Sequence, residues 1–231
     1  SYIVIHKKRR ILLKLKEIKG LYDVIVSLGS ACNPAMELKR LNLRTFAGPL
    51  DWSVALSLSD VNRLLKNKFN GFMELENMQL IDGAFAFSND GVLIEGVKSY
   101  LIEDTHYNII SVHDFPIIPN QHWSVTYVSY KEKLTHRINR FFEKITSSQS
   151  ILFIRWAATY EQAVELQSTL EGIVKGQFNI LILCPEEGFK GVSEIDWGLD
   201  KICAVKVPRI PNDPGTWNYV LEGITLPPRK Q

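Results

Sequence analysis

Cysteine is scarce in this chain of 231 residues: Cys32, Cys184 and Cys203 are the only three, and no two form a CxxC pair. A disulfide framework and a thiolate zinc site are therefore excluded as organising devices, and a reducing, cytoplasmic location is the expectation. Long apolar runs are missing as well. The longest, such as 180–184, are strand-sized and fall far short of the roughly 18–20 residues a bilayer-spanning helix needs. The chain has no GxxxxGK[ST], no GxGxxG after its first strand-like run and no HExxH. His106, His113, Asp114 and His122 include no i, i+4 histidine pair, so neither a cofactor nor a metal is expected. Net charge is small, +2 from 27 Lys+Arg and 25 Asp+Glu, which speaks against a nucleic-acid partner.

What is present is the composition of a globular protein, 45% hydrophobic and 10% aromatic, long enough for a self-sufficient core. Its charge is unevenly spread. Residues 1–20 carry seven basic side chains against Glu17 alone, which leaves the remainder slightly acidic. This predicts a basic N-terminal arm over 1–20 and a single α/β domain over 21–231. Residues 7–19 interleave Lys and Arg with Ile11, Leu12, Leu13, Leu15 and Ile18, a pattern suited to the anionic inner face of a membrane, or simply to a solvated face. The chain starts at Ser1 without Met, as a piece excised from a longer protein would.

Asp23 to Leu28 is β-branched and nearly all apolar, the pattern of a strand covered on both faces, and it stops at Gly29. Asn33-Pro34 then opens a helix, Asn as cap and Pro in the first turn. Ser59-Asp60 caps a second helix, and Phe72 to Leu80 reads as another short one. Phe85-Ala86-Phe87 and Val92-Leu93-Ile94 around Ser88-Asn89-Asp90-Gly91 read as a hairpin. Beyond residue 106, strands at 107–113, 151–154, 179–184 and 202–207 alternate with amphipathic helices. The longest helix, over 126–146, sets Leu134, Ile138, Phe141, Phe142 and Ile145 on one side, with Arg137, Arg140 and Lys144 facing elsewhere. The expected fold is a mostly parallel sheet with helices on both faces, carrying an inserted hairpin and helical portion, or lid, over 43–106.

In such sheets chemistry sits beyond the carboxyl ends of the strands. Gly29-Ser30-Ala31-Cys32 leaves the first strand at a helix start, where backbone N–H groups and the helix dipole favour thiolate over thiol. Cys32 is thus the candidate nucleophile, or else a small packing residue, the role expected of Cys184 and Cys203. His113, ending an apolar strand, is the candidate base, or a satisfied core histidine. Asp114 or Asp51 could orient it, although Asp114 would point to the opposite face if the strand continued, and Asp51 could simply pin the 48–52 turn. Gly29, Ser30, Asn33, Trp52, Arg155 and Trp156 are the candidate substrate contacts.

The segments 27–35, Pro49-Leu50-Asp51-Trp52, His113-Asp114-Phe115-Pro116 and Leu152-Phe153-Ile154-Arg155, with Leu38, Leu41 and Arg44 between, occur in an order and spacing that resemble a bacterial domain-of-unknown-function family described as papain-like cysteine peptidases. The resemblance spans about 22–217. It implies Cys32 as nucleophile and His113 as base, acting on a peptide-like substrate. The alternative from the residues alone is a transferase of surface-polysaccharide assembly that holds a sugar nucleotide or phosphorylated sugar through the Gly29 turn, Arg155 and Asp51, with Cys32 structural.

Overall fold

The computed structural model describes residues 13–81 and 99–230. In chain order its elements are β1 (Gly20–Leu21), β2 (Val24–Ser27), α1 (Asn33–Arg40), β3 (Ser53–Val54), α2 (Leu58–Lys66), β4 (Met78–Ile81), β5 (Ser99–Asp104) and β6 (Ile109–Pro116). They continue with α3 (Tyr127–Ser147), β7 (Ser150–Trp156), α4 (Tyr160–Glu171), β8 (Gln177–Glu186), β9 (Ser193–Ile195), β10 (Ile202–Pro208), α5 (Pro214–Leu221) and β11 (Ile224–Thr225).

The fold is mixed α/β and is built on two main sheets. One has the order β2-β7-β8-β10-β9, its first four strands parallel and β9 antiparallel at the edge. Strand alternation divides its side chains between two cores. Val24, Val26, Ile151, Phe153, Ile180, Ile182, Ile202 and Ala204 face α2, α3 and α4. Ile25, Leu152, Ile154, Trp156, Leu181, Leu183, Cys203, Val205 and Val207 face α1 and α5. Buried on both faces, these strands read in sequence as continuous apolar runs.

The expectation of one mostly parallel sheet needs correction, because a second sheet, in the order β3-β6-β5-β4, is antiparallel throughout. The strand carrying His113 belongs here, not to the parallel succession. An apolar run announces a strand but not its direction, so sequence could not assign it. Residues 72–80 are likewise not a helix: a 3₁₀ turn at Leu75–Asn77 leads into β4. The hairpin expected over 85–94 lies outside the described residues. The basic segment, where described, packs Leu15 and Ile18 into the core formed with α5. Lys19 Nζ donates to Val220 O at 2.7 Å, and β1 pairs in parallel with β11.

Candidate functional site

The site forms where the loop leaving β2 meets the antiparallel sheet. Ala55 N–H donates to Ser30 O at 2.7 Å, and Ala31 packs against Val54, Leu101, Ile110 and Val112. The Gly29–Ser30 peptide is cis, and Gly29 takes a positive φ of 82°. Cys32, not Asn33, is the N-cap of α1: its carbonyl accepts the Met36 N–H at 3.0 Å and its side chain caps nothing. Asn33 instead reaches across to Pro211 O at 3.3 Å, which also accepts Trp217 Nε1–H at 2.7 Å, so it ties α1 to the loop before α5.

Cys32 is partly buried, and its thiol pKa is pushed up to about 12, first by burial and then by the negative charges of Asp51 and Asp114. The helix start was expected to favour thiolate. Desolvation and two carboxylates outweigh the dipole, whose influence fades within one turn. Both acidic candidates thus act on the thiol through their charge. Asp51 is buried, and burial raises its pKa, opposed by hydrogen bonds from Gly48 and Arg44 and by the charges of Arg44 and Arg137. Its Oδ2 accepts Arg44 Nε–H at 2.8 Å and Gly48 N–H at 2.9 Å, so it does pin the turn.

Gly48 is required by that turn for its lack of a side chain. A Cβ there would lie 2.9 Å from Asp51 Oδ1. Gly48→Ala is therefore expected to destabilise the protein by about 1–3 kcal/mol, the usual cost of overpacking, because Asp51 cannot move without leaving Arg44. Urea unfolding measures it, and an unchanged midpoint would show that the turn yields freely.

Asp114 and His113 lie in an irregular stretch of β6. Between the pairs Tyr100–Phe115 and Ile102–Ser111, β5 supplies only Leu101 while β6 supplies Val112, His113 and Asp114. Such bulges re-aim side chains. In a regular strand residues three apart face opposite sides, yet Ser111 Oγ donates to Asp114 Oδ2 at 3.3 Å. Arg137 Nη1 donates to Asp114 Oδ1 at 3.1 Å. His113 is exposed and meets the edge of Trp52, ring centroids 5.8 Å apart, and Arg44 lies over the Trp52 ring at 5.1 Å. Among the described residues the His113 ring makes no hydrogen bond, so Asp114 does not orient it in this structure.

Two of the substrate-contact candidates are interior. Arg155 is fully enclosed and donates from Nε to Ala157 O at 2.9 Å, from Nη1 to Leu28 O at 3.1 Å and from Nη2 to Leu56 O at 3.1 Å. Burial lowers its pKa to about 9. Trp156 is stacked on Trp217 in the core shared with α5. Ser30 is buried, while Trp52 remains partly accessible. Sequence reasoning missed Ser111 and Arg137. Arg137 follows Tyr130 by seven positions and Leu134 by three and precedes Phe141 by four, so it lies on the buried stripe of α3 and not, as expected, away from it. An arginine at a core position of an otherwise apolar stripe was the available signal. Among the described residues no cluster of His, Cys, Asp and Glu could hold a metal ion, and no helix is long and apolar enough to cross a membrane.

Cys32, the two carboxylates beside it and His113 all fall within residues 23–188, which match the family described as "Putative papain-like cysteine peptidase (DUF1796)". The chain belongs to this family. Among curated proteins, "Uncharacterized protein R408" of Acanthamoeba polyphaga mimivirus is 27% identical over 136 residues, 57% of this chain and 60% of that protein. The chain thus spans less than two thirds of that relative's length. No solved structure matches. The DUF1796 match also contains Arg44, Ser111, Arg137 and Arg155, and it ends before α5.

Proposed function

We propose that this DUF1796 member is a cysteine-nucleophile hydrolase or acyltransferase acting on a carbonyl of a peptide-like or sugar-containing substrate. The observation that carries the reading is the thiol of Cys32 at the first turn of α1, on the junction of the two sheets, with Asp51 and Asp114 acting on it. Cys32 Sγ gives up its proton and bonds to the carbonyl carbon, and the carbonyl electron pair moves onto oxygen. Backbone N–H groups at the start of α1 suit that oxyanion. Expulsion of the leaving group, which takes the proton, gives a thioester that water or a second acceptor cleaves. His113 is the proton carrier in this reading: its ring is exposed and, among the described residues, carries no hydrogen bond that would have to break first. Asp51 and Asp114 oppose ionisation in the free protein, so activation of the thiol belongs to the substrate-bound state.

The transferase alternative is weakened by Arg155, whose enclosed guanidinium already serves three carbonyls. The test is a panel of activated esters, thioesters and peptide amides, quenched early and examined by peptide mass mapping. An acyl adduct on Cys32 that hydroxylamine releases, absent in Cys32→Ala together with turnover, is the expected result. Turnover that survives Cys32→Ala would overturn the reading.

A further inference from the structure

We propose that Arg137 is a positioning residue of the thiol site: reaching from α3, it holds Asp114 on the bulge of β6 and, as the shared countercharge of Asp114 and Asp51, sets the reactivity of Cys32. The proposal rests on Cys32 as the reactive residue.

Arg137 and Asp114 side chains are 17% and 12% exposed, so their 3.1 Å ion pair is largely withdrawn from water, where charges couple far more strongly than at the surface. An arginine between Leu134 and Phe141 on a core-facing stripe would be costly unless paired, and Asp114 is the partner the bulge delivers. The same carboxylate accepts from Ser111, which fixes it from its own strand. Arg137 also acts on Asp51, favouring its charged form, although Asp51 has its own partner in Arg44. The charged groups that act on the thiol are Asp51 from the 44–51 turn and Asp114 from β6; behind them stand Arg44 on Asp51, Arg137 and Tyr130 of α3 on Asp114, and exposed His113 on Trp52. Tyr130 is buried, its pKa raised well above the ordinary value first by burial and then by Asp114, so it stays neutral. Within this set Asp51 has Arg44 and a share of Arg137, Asp114 has Arg137 alone, and the thiol faces two carboxylates whose charge the arginines offset only in part. Removing Arg137 would leave Asp114 uncompensated beside Cys32, and removing Asp114 would leave Arg137 uncompensated.

The two charges predict opposite effects, which a packing contact would not. Iodoacetamide labelling of the folded chain between about pH 8 and pH 10, read on Cys32 by peptide mass with Cys184 as internal control, separates them. Arg137→Gln should slow Cys32 about three- to tenfold, the net effect of about one to two units of thiol pKa once the greater nucleophilicity of the more basic thiolate is allowed for, and Asp114→Asn should quicken it by a similar factor. The double variant should return to within about twofold of the parent, and Arg137→Lys should retain most of the parent rate. Acceleration in both single variants would reveal a contact whose loss merely opens the site, and no change in either would remove Arg137 from it. Both outcomes overturn the proposal. If Arg137→Gln does not fold, Asp114→Asn and Arg137→Lys still decide, since a slowed Asp114→Asn contradicts the charge argument. The readout is thiol reactivity, not turnover, so this proposal can fail while Cys32→Ala still abolishes catalysis, and the reverse.

Discussion

Iodoacetamide should alkylate Cys32 of the native protein roughly a hundredfold more slowly at about pH 7.5 than it alkylates an unhindered thiol. A thiol at about 12 lies some 3.5 units above the ordinary value of about 8.5, which cuts the thiolate fraction by roughly three thousand. The more basic thiolate is the better nucleophile, and a Brønsted slope of about 0.4–0.5 returns a factor of roughly forty. The rate should rise about tenfold per pH unit without levelling below pH 10, and His113→Ala should leave it unchanged. Rapid labelling with an inflection at or below about 8.5 would mean that the helix start prevails over Asp51 and Asp114, and that the thiol is activated before substrate arrives. The slow outcome would also leave Cys32 resistant to indiscriminate oxidation, since susceptibility follows thiolate character and exposure.

Arg155→Met should lower stability by about 2–4 kcal/mol, the cost of taking one enclosed donor away from three carbonyls at once. Three carbonyls, the buried Leu28 O and the part-buried Leu56 O and Ala157 O, lose their donor together, at about 1–3 kcal/mol for the first and less for the other two, and relief from burying a cation offsets part of it. Those carbonyls belong to three separate segments: the loop before Cys32, the link from β3 to α2, and the exit of β7. Arg155→Lys should recover less than half, because an ammonium lacks the planar fork that spans them. Urea unfolding gives the answer as a fall in midpoint at constant slope, and a loss below about 1 kcal/mol would show that the loops hold without the strut.

Much of the parallel sheet was legible because its strands are buried on both faces and bounded by turn residues. The strand expected at 202–207 is Ile202–Pro208, and the helix expected at 126–146 is Tyr127–Ser147. Asp213 ahead of Pro214 caps α5, its carboxylate accepting the Thr216 N–H at 3.1 Å. The second sheet was not legible, since β3 is two residues long and pairing direction leaves no periodic trace. For the site, sequence offered residue types at strand ends, and of these Asp51 and Asp114 act on the Cys32 thiol through their charge. The state of the thiol was beyond reach, because burial by distant segments decides it. Arg155 illustrates the same limit: a basic residue ending a strand reads equally well as a ligand for substrate or as a clamp on carbonyls, and only enclosure distinguishes them.

The pairing of β1 with β11 has a consequence for biosynthesis. Lys19 and Val220 are joined across 201 positions, and Leu15, Ile18 and Tyr22 share their core with Val220, Leu221 and Ile224. A chain emerging from the ribosome presents those early apolar residues to water long before their partners exist. The face of the parallel sheet that α1 and α5 cover closes only when α5 and β11 have been made, whereas the opposite face, built from α2, α3 and α4, has its helices in hand well before. Non-local closure of this kind is slow and leaves apolar surface exposed meanwhile, so the half of the molecule behind Cys32 is the half whose apolar surface stays open longest during synthesis.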